Sequence, residues 1–131
     1  MSEFSTDIQV RFRDIDAMGH VNNAVYATYV EQARTEYFEE ILEEGLDAVS
    51  TVLASLELSY ERPILLGQSV TITIAVPELG RSSLPMEYEI FADGKRAATA
   101  QSVQVFLDPE TDEPYPIPDR FRERITEFEG L

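Results

Sequence analysis

From Asn22 to about Leu42 the chain reads NNAVYATYVEQARTEYFEEIL, and its apolar residues recur at helical spacing on more than one face. Val25, Tyr29, Ala33, Tyr37 and Ile41 form an i, i+4 stripe, which Tyr26, Val30, Phe38 and Leu42 widen. A helix apolar over that much of its circumference cannot lie on a surface with one side in water. The rest of the chain must wrap it. Asn22 and Asn23 suit the start of this helix, and Gly45 suits its end. Glu39, Glu40, Glu43 and Glu44 crowd the C-terminal end, where the helix dipole disfavours acids.

The wrapping material is strand-like. Before the helix, Ile8, Val10 and Phe12 alternate with Gln9, Arg11 and Arg13, which predicts a half-buried strand. After it, alternation runs from Val52 to Tyr60 until Pro63, from Val70 to Val76, and from Leu84 to Ile90. Gly80 marks a turn before the third of these. Asp93-Gly94 is a hairpin signal leading into a strand from about Arg96 to Leu107. That last strand carries Ala97, Ala98, Ala100 and Ser102, small residues expected where a backbone lies close to the helix. A short terminal helix, with Asp119 as its cap, follows a proline-rich loop. One strand, one helix and four more strands predict an α+β domain, a five-stranded antiparallel sheet curled around one long helix. At 131 residues, positions 1–131 read as a single domain. Uncovered sheet edges make pairing of two subunits a natural expectation.

The net charge of −15 excludes some partners. A surface so acidic repels nucleic-acid phosphates and anionic lipid, so neither nucleic acid nor a membrane is expected as a partner. The acids are dispersed along the chain, and Lys95 is the only lysine beside nine arginines. That pattern fits a halophilic protein, because molar salt shortens the Debye length to about 3 Å and removes most self-repulsion; an acidic protein of ordinary cells is the other reading. The N-terminus MSEFSTDIQV has neither a basic start nor an apolar core, so a cytoplasmic location is expected. With no cysteine and one histidine, thiol chemistry is excluded and a metal site is not expected.

Chemistry concentrates between the first strand and the helix, in RDIDAMGHVNN. Asp14 and Asp16 are expected where the strand ends, and Gly19 permits a sharp turn before the helix. A carboxylate is thereby brought near a helix start, where free N–H groups stabilise negative charge. Such donors polarise a carbonyl and hold the oxyanion formed when it is attacked. A nearby aspartate serves as nucleophile or as general base toward water, which suits acyl transfer. The same residues also have an ordinary use in caps and turns. His20, the only histidine, can bond a substrate carbonyl, orient a carboxylate or simply fix the loop.

The segment FRDIDAMGHVNNAVYATYVEQAR resembles the signature of the hot-dog acyl-CoA thioesterases of the 4-hydroxybenzoyl-CoA thioesterase type. The similarity continues through LSYERPILLGQSVTITIAVPELGRSS and DGKRAATAQSVQVFLDPETDEPYPIP, nearly the whole chain. This resemblance implies a hot-dog fold and an assembly of at least a homodimer, with a homotetramer as the larger alternative and active sites between subunits. It implies hydrolysis of an acyl-CoA to free acid and CoA without a cofactor or metal. Asp16 matches the catalytic aspartate, and Asn23 the residue whose main-chain N–H polarises the thioester carbonyl. His20 matches a histidine whose role varies. Asp14 would brace the loop.

CoA carries phosphates that an acidic chain must still hold. In LGRSS, Arg81 can pair with phosphate while Ser82 and Ser83 donate hydrogen bonds. Arg62, Lys95 and Arg96 are weaker candidates. Tyr26, Tyr29, Val30, Leu58 and Tyr60 could line an acyl pocket, although such residues are more often core. Glu31, Arg34 and Glu36 read as an ion-pair network or a solvated helix edge. Two other functions compete: an acyl-CoA hydratase or dehydratase on the same fold, and a non-catalytic acyl-CoA-binding domain.

Overall fold

The computed structural model describes residues 3–43 and 50–131. The chain forms β1 (Phe4–Ile8), a 3₁₀ turn (Phe12–Asp14) and α1 (Val25–Tyr37), which continues as a π-helical turn (Phe38–Leu42). Then come β2 (Thr51–Tyr60), β3 (Val70–Ala75), β4 (Ser83–Ala92), β5 (Lys95–Phe106) and α2 (Asp119–Glu129). The five strands make one sheet in the order β1-β3-β4-β5-β2, antiparallel throughout. The α+β architecture expected from the alternation is therefore observed.

The helix is buried on several sides, as its composition requires. Tyr26, Tyr29, Val30, Ala33, Tyr37, Phe38 and Leu42 are all buried. They face the inner sheet side, where Ile72, Ile74, Met86, Tyr88 and Ile90 alternate inward. Each such side chain contributes about 1.5–3 kcal/mol of transfer free energy. The Tyr37 hydroxyl donates to Glu129 at 2.8 Å, fastening α2 to the far end of α1. Arg124 of α2 adds a hydrogen bond to the Leu42 carbonyl and an ion pair with Glu43 at 3.4 Å. The expected stop at Gly45, and Glu44, lie outside the described residues.

Several local expectations are corrected. The first strand covers Phe4–Ile8 rather than reaching Arg13, and Phe12 is 83% exposed. Its register explains this: Ile8 pairs with Val70, the first residue of β3, so the chain beyond Ile8 has no neighbour to pair with. The Asp14 N–H instead donates to the Arg11 carbonyl, and the Arg11 N–H to the Asp14 carboxylate, both at 2.9 Å. Arg34 is buried rather than solvated, and its guanidinium donates to the Tyr88 hydroxyl at 3.3 Å. The helix backbone packs most extensively against β1 and β3. The small β5 residues instead sit beside bulky cross-strand neighbours: Ala98 opposite Ile90 and Tyr60, Ala100 opposite Tyr88. Asp119 is the first residue of α2 rather than its cap, and Pro118 takes the N-cap position.

Candidate active site

The segment between the 3₁₀ turn and α1 folds as a small closed loop. Ile15 and Val21 form an antiparallel bridge, and the Asp16 N–H donates to the His20 carbonyl at 2.8 Å. Gly19 turns the chain at φ +82°, a conformation that glycine adopts at no steric cost. The loop is anchored to the segment after β2, since the Val21 N–H donates to the Ile64 carbonyl at 2.8 Å and His20 bridges Leu65.

Asp14 and Asp16 occupy different environments. The Asp14 carboxylate is buried and accepts from the Tyr29 hydroxyl at 2.7 Å, with the Arg11 guanidinium at 3.6 Å. Burial pushes its pKa up. The bonds from Tyr29 and the Arg11 N–H, with the charges of Arg11 and Arg13, outweigh that and hold it below the usual value. Burial and the neighbouring carboxylate in turn raise the Tyr29 hydroxyl far above its ordinary value, so it stays a donor. Asp16 is only partly buried. Its Oδ1 accepts from the N–H groups of Met18 at 2.9 Å and His20 at 3.2 Å, which fixes the side chain. Its Oδ2 has no hydrogen-bond partner among the described residues.

The helix start is equally selective. The Ala24 N–H donates to Asn22 Oδ1 at 2.9 Å, and the Val25 N–H to the Asn22 carbonyl at 2.8 Å. The Asn22 N–H is taken by the Asp14 carbonyl at 2.9 Å. Among these groups only the Asn23 N–H is left without a partner among the described residues. Asn22 forms an Asx turn ahead of the helix, but neither asparagine takes the expected N-cap position: that is Ala24, which carries no side-chain capping bond, and the regular helix begins at Val25.

Asp16, His20 and Asn23 line one open cleft of about 380 Å³, together with Tyr26, Tyr60 and Arg62. Tyr60 hydrogen-bonds the Asn23 carbonyl at 2.9 Å and meets the Tyr26 ring edge-on, centroids 4.9 Å apart. Arg62 donates through Nε to the Arg96 carbonyl at 3.0 Å, and Arg96 is itself paired with Glu61 and Glu89. A larger hollow of about 560 Å³ lies along β3, β4 and β5, lined by Glu87, Glu89 and Gln101. The smaller cleft is the candidate site, because the residues that carry a partly open carboxylate, the imidazole and an unpartnered main-chain N–H line it together.

Arg81, Ser82 and Ser83 do not line that cleft. They form the β3–β4 turn, closed by the Gly80 N–H donating to the Ser83 carbonyl at 3.0 Å. The Arg81 carbonyl accepts from Ile117, and the Ser82 carbonyl from Phe106, tying the turn to the distal end of β5. From sequence, Tyr60 and Tyr26 read only as candidate acyl-pocket lining and Arg62 only as a weaker CoA candidate. That Tyr60 bonds the Asn23 carbonyl has no sequence signal beyond its place at the end of a strand, in SYERP. Among the described residues no three His, Cys, Asp or Glu side chains gather in a group that could hold a metal ion.

The sequence profile of the thioesterase-like superfamily matches residues 10–125. Long-chain acyl-CoA thioesterase FadM of Escherichia coli is 28% identical over 128 residues, covering 94% of this chain and 97% of FadM. YsmA of Bacillus subtilis is 31% identical over 87 residues, and the match spans only 58% of that protein. Among solved structures, a thioesterase from Thermus thermophilus complexed with coenzyme A and zinc is 44% identical. It superposes with a TM-score of 0.89, covering 97% of this chain and 94% of that one.

Proposed function

This chain belongs to the thioesterase-like superfamily, and we propose that it hydrolyses acyl-CoA thioesters, turning R–CO–S–CoA and water into R–COO⁻, free CoA and a proton. The observation that carries the reading is the pairing of two open groups on residues of one cleft. Asp16 has a free carboxylate oxygen, and Asn23 has a free N–H at the start of α1. The thioester oxygen bonds the Asn23 N–H, which strengthens as negative charge develops on that oxygen. Asp16 attacks the carbonyl carbon, giving an anhydride that water cleaves, or takes a proton from water that attacks instead. CoA thiolate leaves and is protonated. His20, whose ring has no hydrogen-bond partner among the described residues, faces the same cleft and assists at the substrate carbonyl or at Asp16. The reaction so written needs no cofactor or metal.

A second copy of the chain completes the site. β2 is a sheet edge ten residues long, with Val52, Leu53 and Tyr60 each more than 40% exposed. Pairing two such edges satisfies their free main-chain groups and covers this apolar surface, giving a homodimer at least and allowing a homotetramer. Arg81, Ser82 and Ser83 of one copy then hold the CoA phosphates of substrate bound to the other, since they are remote from their own chain's cleft. No helix among the described residues is long and apolar enough to cross a membrane. We place the enzyme in the cytoplasm of a high-salt cell.

The test is thiol release from a panel of acyl-CoAs in high-potassium buffer. Wild-type protein releases CoA, and Asp16→Asn loses about 10³-fold or more in turnover with nearly unchanged stability. Equal turnover by Asp16→Asn removes Asp16 from the mechanism. Hydration of an enoyl-CoA without thiol release would make the protein a hydratase, and tight binding without turnover would make it a sensor.

A further inference from the structure

Two peptide groups flank Asn23, and three of their four polar atoms are occupied. The Asn22 carbonyl accepts from Val25, and the Ala24 N–H donates to Asn22 Oδ1. The Asn23 carbonyl accepts from the Tyr60 hydroxyl at 2.9 Å. Only the Asn23 N–H is open. The first two bonds lie within the tripeptide turn and its neighbour, whereas Tyr60 reaches in from the end of β2, 37 residues away in sequence. Its ring is seated against Tyr26 at an interplanar angle of 86°, so the hydroxyl is delivered from a fixed direction. That hydroxyl has one hydrogen, already committed to the Asn23 carbonyl, and so cannot also donate to substrate.

We infer that Tyr60 is a positioning residue of the hydrolytic reaction, its hydroxyl clamping the Asn23 main chain so that the neighbouring N–H stays aimed at the thioester oxygen. The inference rests on the Asn23 N–H being the carbonyl donor. Without the clamp the 23–24 peptide is held only through its N–H, and it can rock about the flanking Asn23 bonds. The Tyr60–Asn23 bond is an exposed one, so water replaces it in the variant and stability changes little while donor alignment suffers. Misalignment matters most when charge is on the oxygen, which places the loss in turnover and not in binding.

Tyr60→Phe deletes the hydroxyl and keeps the ring contact. With hexanoyl-CoA or benzoyl-CoA, whichever the wild type hydrolyses faster, kcat is expected to fall about tenfold while KM stays within about twofold. The melting temperature should stay within about 3 °C. A second readout is the infrared band of that thioester, ¹³C-labelled at the carbonyl and bound to Asp16→Asn. The band is expected at higher wavenumber once Tyr60→Phe is added, because the carbonyl is less polarised. An unchanged kcat, a change confined to KM, or an unmoved carbonyl band overturns the inference while wild-type hydrolysis stands. Failure of the wild type to hydrolyse any thioester overturns the donor assignment beneath it as well.

Discussion

Asp14 and Asp16 stand two residues apart in the chain, yet one carboxylate is buried against Tyr29 and the other opens on the cleft. Their spacing in the sequence identified an acid pair at a turn, and nothing in the pair itself says which acid faces inward. The choice follows from the 3₁₀ turn, which aims Asp14 at the Tyr29 hydroxyl on α1. Because the Asp14 pKa lies below its unfolded value of about 3.9, its contribution is fully present above that pH. It is lost as the pH falls through the lower folded value. Asp14→Asn should therefore cost about 2 kcal/mol at neutral pH and flatten the acid limb of the stability curve, as urea titrations from pH 7 to 3 would report. The same pH dependence in both proteins would remove Asp14 as its source.

At the scale of elements, the helix and the four strands after it were legible because their periodicities extend over many residues. The π turn at Phe38–Leu42 was not, since it keeps the apolar spacing of an ordinary helix. The β1 error came from reading alternation where no neighbouring strand remained to pair with. The hairpin at Asp93-Gly94 was readable for a local reason. Asp93 and Gly94 adopt φ of +50° and +80°, the backbone of a two-residue turn that joins Ala92 to Lys95. The Asp93 side chain also accepts from the Ser69 N–H at 2.8 Å, fastening the turn to the start of β3. Gly94→Ala forces a side chain into the left-handed region and should cost about 1–2 kcal/mol, seen as a lower midpoint in thermal unfolding. A midpoint equal to the wild type's would show that the turn relaxes freely.

For the whole molecule, charge and edge exposure lead to separate expectations. With a net charge of −15 and few ion pairs among the described residues, raising KCl from 0.1 to 2 M should increase the melting temperature. Over that range the Debye length falls from about 10 Å to below about 3 Å. A melting temperature indifferent to salt would leave the acidity without a role in high-salt stability. On β2, Leu53→Lys puts a charge on the exposed sheet edge and, if the proposed dimer pairs there, should shift the sedimentation mass from dimer toward monomer. An unchanged mass would move the interface elsewhere. By itself the sequence determined that one helix would be wrapped by antiparallel strands, and that carboxylates, a glycine and a histidine would precede it. Those properties depend on residue type and short spacing, which the chain carries locally. Only the tertiary structure decided that Tyr29 is what buries Asp14, that Tyr60 reaches the Asn23 carbonyl, and that Arg81 lies outside the cleft that Asp16 lines. These depend on strand register and loop closure between residues tens of positions apart, and no local periodicity encodes them.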